Sequence, residues 1–178
     1  MRTPRANSRE RILAAAAEVA RETGPGSLSL DAVAHRAGVS KGGLLYNFPS
    51  KAKLMQALVA SYVEEFEREL DKAVAGGETL LAAYLRLSML KCEDDETASW
   101  IFSAMAEDPH FLVPVRQHRR RLLDRLKSES SDPADLLVVF FAVEGLLSMK
   151  LFDTTILSTD ERDMIRERLP RIASGLRS

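Results

Sequence analysis

The chain has 178 residues, 46% hydrophobic and 29% charged, with nine Gly and seven Pro. That leaves room for one large domain or two small ones and is the make-up of a folded chain, not a disordered or fibrous one. A single cysteine, Cys92, excludes an internal disulfide framework and a multi-thiolate metal site. The net charge of −1 hides an asymmetry: residues 1–53 carry nine Lys or Arg against four Asp or Glu, a balance of +5, and the remainder carries −6. The amino-terminal part is therefore expected to meet a polyanion.

Helical periodicity recurs along the whole chain and strand signals are almost absent, so the expected fold class is all-α. Asn7 and Glu10 make a capping pair for a first helix, whose stripe Ile12, Leu13, Ala16, Val19 and Ala20 runs to the break at Gly24-Pro25-Gly26. Ser29 caps a short second helix over 30–37 with Ala32, Val33 and Ala34 inward. Gly38 ends it, and Ser40 caps a third short helix over 41–47. A long fourth helix follows Pro49-Ser50, with Leu54, Leu58, Tyr62, Phe66 and Leu70 along one side, and closes at Gly76-Gly77. Further helices are predicted near 78–92, 94–107, 114–128, 133–152 and 159–175. Asp132-Pro133 and the box from Ser158 to Glu161 mark two of the starts. Pro170 must kink the last helix or divide it. The longest apolar run, Leu136–Val143, is closed by Glu144 well short of the ~20 residues that cross a bilayer, and Met1–Arg11 has no secretory pattern. The expectation is a cytoplasmic protein with no membrane partner.

Two short helices joined at a glycine turn have the geometry of a helix-turn-helix, whose second helix enters a DNA major groove. Ala34, Ala37 and Gly38 are small enough to let the two approach, and Val39 plugs the angle. Gly42 and Gly43 each cost about 1 kcal/mol against alanine inside a helix. They make sense where the backbone must come close to a surface such as a base edge. Ser40, Lys41, Tyr46 and Lys51 supply phosphate donors, Leu44 and Phe48 anchor the helix, and Tyr46 is expected half-buried with its hydroxyl free.

The run SLSLDAVAHRAGVSKGGLLYNFPSK, from Ser27 to Lys51, resembles the DNA-binding signature of the TetR/AcrR transcriptional regulators across more than twenty positions. The resemblance is close over about residues 7–55 and architectural beyond. It implies that Ser29, Ser40, Tyr46 and Lys51 contact phosphates while Lys41, Gly42 and Gly43 lie against base edges. Gly43 departs from the family's Thr or Ser, Leu45 from its Tyr, and Asn47 from its His. Readout is then expected to rest on Lys41, Asn47, DNA shape and the tail residues Arg2 and Arg5.

Outside that segment the residues point to no catalysis. His35, His110 and His118 share no metal-ligand spacing, no nucleophile–base pair or phosphate loop is present, and no metal or cofactor is expected. Cys92 is read as a packed thiol over a redox sensor. The basic cluster Arg116, Arg119, Arg120, Arg121, Arg125 and Lys127 is read as a solvated face over a second anion contact. Trp100 falls off the core stripe of its predicted helix, as a surface plug or as part of a second apolar site. Glu144 interrupts an apolar helix, either at a wet edge or buried with a partner and ready to meet a ligand.

The expected organisation is a DNA-binding domain over 1–51 and an effector-binding and dimerisation domain over 52–178. The helix near 133–152 has more large apolar residues than one face can bury, so a second copy is expected to cover the excess, through Leu137, Phe141, Ile165 and Leu169. Met89, Trp100, Met105 and Phe140 suit a largely apolar effector cavity with Glu144 as its polar anchor. The family resemblance implies a homodimeric repressor whose operator, double-stranded DNA, is released when a small molecule binds the body. A constitutive DNA-binding dimer and, more distantly, a small helical enzyme are the alternatives.

Overall fold

The computed structural model describes residues 7–23, 28–93, 112–151, 154 and 156–176. Eight helices are formed among them: α1 (Ser8–Thr23), α2 (Leu30–Ala37), α3 (Lys41–Asn47), α4 (Lys51–Ala75), α5 (Leu80–Glu93), α6 (Val113–Ser128), α7 (Pro133–Leu151) and α8 (Thr159–Ser174). The described residues hold no strand. The helix predicted over 94–107, with Trp100 and Met105 on it, lies outside the described residues.

Local chemistry explains the helix ends. The Ser29 hydroxyl accepts from the Ala32 amide at 3.5 Å, and the Ser40 hydroxyl from the Gly43 amide at 3.1 Å. The Asp132 carboxylate accepts from the amides of Ala134 and Asp135, and Ser158 and Glu161 form a reciprocal capping box. Gly38 closes α2 at φ +64°, a left-handed conformation that side chains resist, and the Val39 amide returns to the Ala34 carbonyl at 3.0 Å. Pro170 sits within α8 without dividing it.

The contacts sort into two compact units, which meet along the chain between Tyr62 and Val63 within α4 and again between Val115 and Arg116 within α6. In the first, α1, α2, α3 and the first part of α4 enclose Ile12, Ala16, Val33, Leu44, Phe48, Leu54 and Leu58. All five expected α1 positions are buried there. Ala32 is instead exposed, because an eight-residue helix turns only Val33, Ala34 and Ala37 inward. The second unit packs the rest of α4 with α5, α6, α7 and α8 around Leu70, Leu80, Tyr84, Leu122, Leu136, Val139 and Phe140.

Candidate functional site

α1 holds the α2–α3 pair in place through a contact that sequence spacing does not reveal. The Arg11 guanidinium donates to the Ala37 carbonyl at 2.5 Å and the Gly38 carbonyl at 3.2 Å, placing a cation on the carboxyl end of α2 where the helix dipole is negative. Arg36 binds Glu22 bidentately and also reaches Glu18, a second tie between α1 and α2. These ion pairs are exposed, so they orient the helices more than they stabilise them.

On α3, Leu44 and Phe48 are buried and the opposite side is open. Tyr46 is 90% exposed, not half-buried as expected: α3 is two turns long, and Leu44 and Phe48 already fill the inward direction. A Cβ added at Gly42 would have only the Ser40 hydroxyl near it, at 4.0 Å, so nothing within the protein requires a glycine there. At Gly43 it would stand 3.3 Å from that hydroxyl, the acceptor that caps the helix. The Lys41 ammonium pairs with Asp31 at 2.9 Å, and the Asn47 amide donates to the Gly43 carbonyl at 2.8 Å. Ser29 and Ser40 are exposed caps, and Lys51 opens α4. Of the residues expected at a DNA surface, Ser29, Ser40, Lys41, Gly42 and Tyr46 are exposed and Gly43, Asn47 and Lys51 half-buried, and Lys41 and Asn47 are among those held by neighbours in the free protein.

In the second unit α7 has a buried side (Leu136, Val139, Phe140, Val143) and an open one, where Val138 is 67% and Phe141 64% exposed. Leu137 and Ile165 are half-buried, whereas Leu169 is 5% exposed and packed inside its own subunit's core. Met164 and Ile156 are exposed apolar residues that the sequence reading passed over.

Phe140 and Glu144 come together, lining a concavity of about 480 Å³ with Arg119, Arg120, Leu123, Phe141, Gly145 and Ser148. Met89 does not join them; it lies in a different groove of about 680 Å³, floored by Leu85, Leu126, Leu169 and Ala173. The Glu144 carboxylate accepts from the Tyr84 phenol at 3.2 Å and faces the Arg119 Nε at 2.5 Å. Burial raises the Tyr84 phenol far above its ordinary value, with Glu144 adding to the effect, so it remains a donor. Its ring stacks on Phe140, centroids 5.6 Å apart.

Four of the six cations in the basic cluster on α6 are paired: Arg119 with Glu144, Arg120 with Asp124, Arg121 with Glu67 and Arg125 with Asp71. His118, almost buried, meets Glu67 at 2.7 Å. Burial pushes the half-buried Cys92 thiol up, which leaves little thiolate. Among the described residues no group of His, Cys, Asp and Glu could hold a metal ion, and no helix is long and apolar enough to cross a membrane.

A capped two-helix corner with an open, glycine-bearing second helix defines a helix-turn-helix protein of the DNA-binding kind. Residues 12–58 match the model of bacterial regulatory proteins of the tetR family, and residues 78–174 match the tetracyclin repressor-like C-terminal domain. The chain belongs to the TetR family of transcriptional regulators and is not an enzyme. The fold recurs in solved structures. The multidrug-binding protein EbrR, complexed with malachite green, is 24% identical over 96% of this chain and 98% of that one, with a TM-score of 0.66. A transcriptional regulator from Rhodococcus sp. Rha1 is 22% identical over 96% and 98%, at 0.68. A family regulator from Aquifex aeolicus VF5 is 16% identical over 94% and 98%, at 0.65. No curated protein matches the chain.

Proposed function

We propose that this regulator is a homodimeric repressor that leaves its operator when a small, largely apolar molecule binds the body. The observation that carries the reading is the combination of an open α3 with a body concavity in which one carboxylate, Glu144, stands with Phe140, Phe141, Arg119 and Arg120.

On the DNA side, Lys41, Gly42, Gly43 and Asn47 face base edges and Ser29, Ser40, Tyr46 and Lys51 face phosphates. Lys41 exchanges Asp31 for DNA, and Asn47 releases the Gly43 carbonyl when it reads a base. The functional division is a DNA-binding domain over 1–51 and an effector-binding and dimerisation domain over 52–178. The open side of α7, with Leu137 and Phe141, meets a second copy together with Ile165, while Leu169 backs that surface from within. Two heads on a two-fold axis then read half-sites about one helical turn or more apart.

Phe140 and Glu144 belong to the effector site, with Tyr84 as an added member; Trp100 and Met105 remain candidates for it, whereas Met89 lines the other groove. A carboxylate anchor among aromatic groups favours a cationic or hydrogen-bond-donating ligand. EbrR, bound to malachite green, offers a precedent on the same fold. The ligand acts by binding the non-operator state more tightly, so release is a population shift set by its difference in affinity. With no transmembrane segment among the described helices, the protein works where the DNA is, in the cytoplasm.

The test is selection of bound sequences from random duplex DNA, repeated with amphipathic cations present. The reading expects enriched two-fold half-sites whose recovery falls with at least one such compound. Enrichment untouched by every compound would favour a constitutive DNA-binding dimer.

A further inference from the structure

The geometry points to Arg119 as an internal counter-ion that occupies the cationic subsite of the body until an aromatic or otherwise apolar cation displaces it. This rests on the reading of the Glu144 cavity given above and adds what that reading lacks: what neutralises Glu144 before the ligand arrives, and which residue sets the ligand's apparent affinity.

Glu144 lies mid-helix on α7 between the buried Val143 and the half-buried Gly145, with its side chain 13% exposed. A carboxylate so placed needs a positive partner. Arg119, reaching from α6, is the partner in the free protein, but its own side chain is 40% exposed. The pair is therefore unequal. Arg119 can turn its guanidinium to water at small cost, while Glu144 has nowhere to go and is held by the Tyr84 phenol.

The contact is also incomplete as a hydrogen bond. Glu144 Oε2 stands 2.5 Å from Arg119 Nε, yet this oxygen is fully buried and has no well-aligned donor. Arg119 thus supplies charge without the directional bond that would lock it in place. A buried carboxylate oxygen with unused acceptor capacity, lining a concavity with Phe140 and Leu123, is what a ligand with one cationic end and an apolar body would use.

Displacement leaves no charge stranded. Glu144 exchanges one cation for another, Arg119 gains water, and the ligand's apolar surface enters the concavity beside the Tyr84–Phe140 stack, where an aromatic face also attracts positive charge. An anion could pair with Arg119 only by expelling Glu144, leaving a buried carboxylate unpaired, and Arg120, which also lines the concavity, is already held by Asp124. Arg119 therefore acts as a threshold on sensitivity and as a filter for the sign of the ligand's charge.

The probes are tetraphenylphosphonium and tetraphenylborate, similar in shape and opposite in charge, titrated into the full-length protein by calorimetry, with circular dichroism as a check on folding. The expected results are tighter binding of the phosphonium by Arg119→Gln, by tenfold or more, and near-parental binding by Arg119→Lys. Glu144→Gln should weaken it by at least tenfold, and the double variant should lie close to Glu144→Gln because the competitor and its target are both gone. Unchanged binding in Arg119→Gln with loss in Glu144→Gln would overturn the counter-ion role and leave the site standing. Insensitivity to all four variants, or no phosphonium binding by parent and Arg119→Gln alike, would overturn the site as well. Preference for the borate would overturn the assignment of charge.

Discussion

Gly42→Ala separates the demands of folding from those of DNA binding. The added Cβ meets only the Ser40 hydroxyl, at an ordinary 4.0 Å, and φ at this position is not in the left-handed region. The free protein should therefore gain stability, by about 0.4–1 kcal/mol, since alanine has fewer unfolded conformations to lose. For a chain of this length that corresponds to about 1–4 °C in Tm. On DNA the methyl group should stand between backbone and groove, pushing the flanking Ser40 and Lys41 donors out of reach of their acceptors. Losing one charged hydrogen bond costs about 1.5–3 kcal/mol, so operator affinity should fall tenfold or more. Gly43→Ala is the contrast. Its Cβ would sit 3.3 Å from the capping hydroxyl, so the stability gain should be cancelled in part or in full. Thermal unfolding and fluorescence anisotropy on a selected duplex report both quantities. A raised Tm with undiminished affinity for Gly42→Ala would refute the placement of α3 against DNA.

Further outcomes follow from the same geometry. Lys41→Ala should weaken binding and blur sequence preference, whereas Lys51→Ala should weaken all sequences alike and lower the salt slope by about one, both read from anisotropy across a salt series. Phe141→Lys should give folded monomers in sedimentation, because the ring is already exposed in the isolated subunit, and with them loss of tight operator binding. Glu67, held by His118 first and then Arg121, has its carboxyl below the usual value. Its contribution is thus complete above about pH 4.3, the unfolded value, and lost as pH falls through the lower folded one. Glu67→Gln should flatten that part of an acid-unfolding profile and leave a neutral-pH offset.

What the sequence disclosed was mostly local. Ser29, Ser40, Gly38, Asp132 and the Ser158–Glu161 box are contacts within four residues, so their spacing is their geometry, and all of them formed. The α1 stripe was legible for the same reason. Ala32 and Tyr46 were misjudged because a helix of seven or eight residues has too few turns for a wheel to locate its edge. Contacts between distant segments were out of reach: Arg11 with Ala37, His118 with Glu67, and Arg119 with Glu144 depend on which helices pack together and at what rotation. For Glu144 the sequence could show that an acid interrupts an apolar run and needs a partner, but not which cation supplies it. Met89 and Phe140 were grouped by chemistry alone, and packing sends them to separate concavities.

The central claim is that DNA and a small cation bind linked states of one dimer. It is tested most directly by measuring tetraphenylphosphonium affinity by calorimetry with and without saturating selected duplex, beside duplex affinity with and without the cation. Linkage requires the two ratios to be equal, and the account predicts an equal weakening of each ligand by the other, fivefold or more. Strong binding of both with neither affecting the other would contradict it, leaving a DNA-binding dimer whose body cavity has no part in regulation.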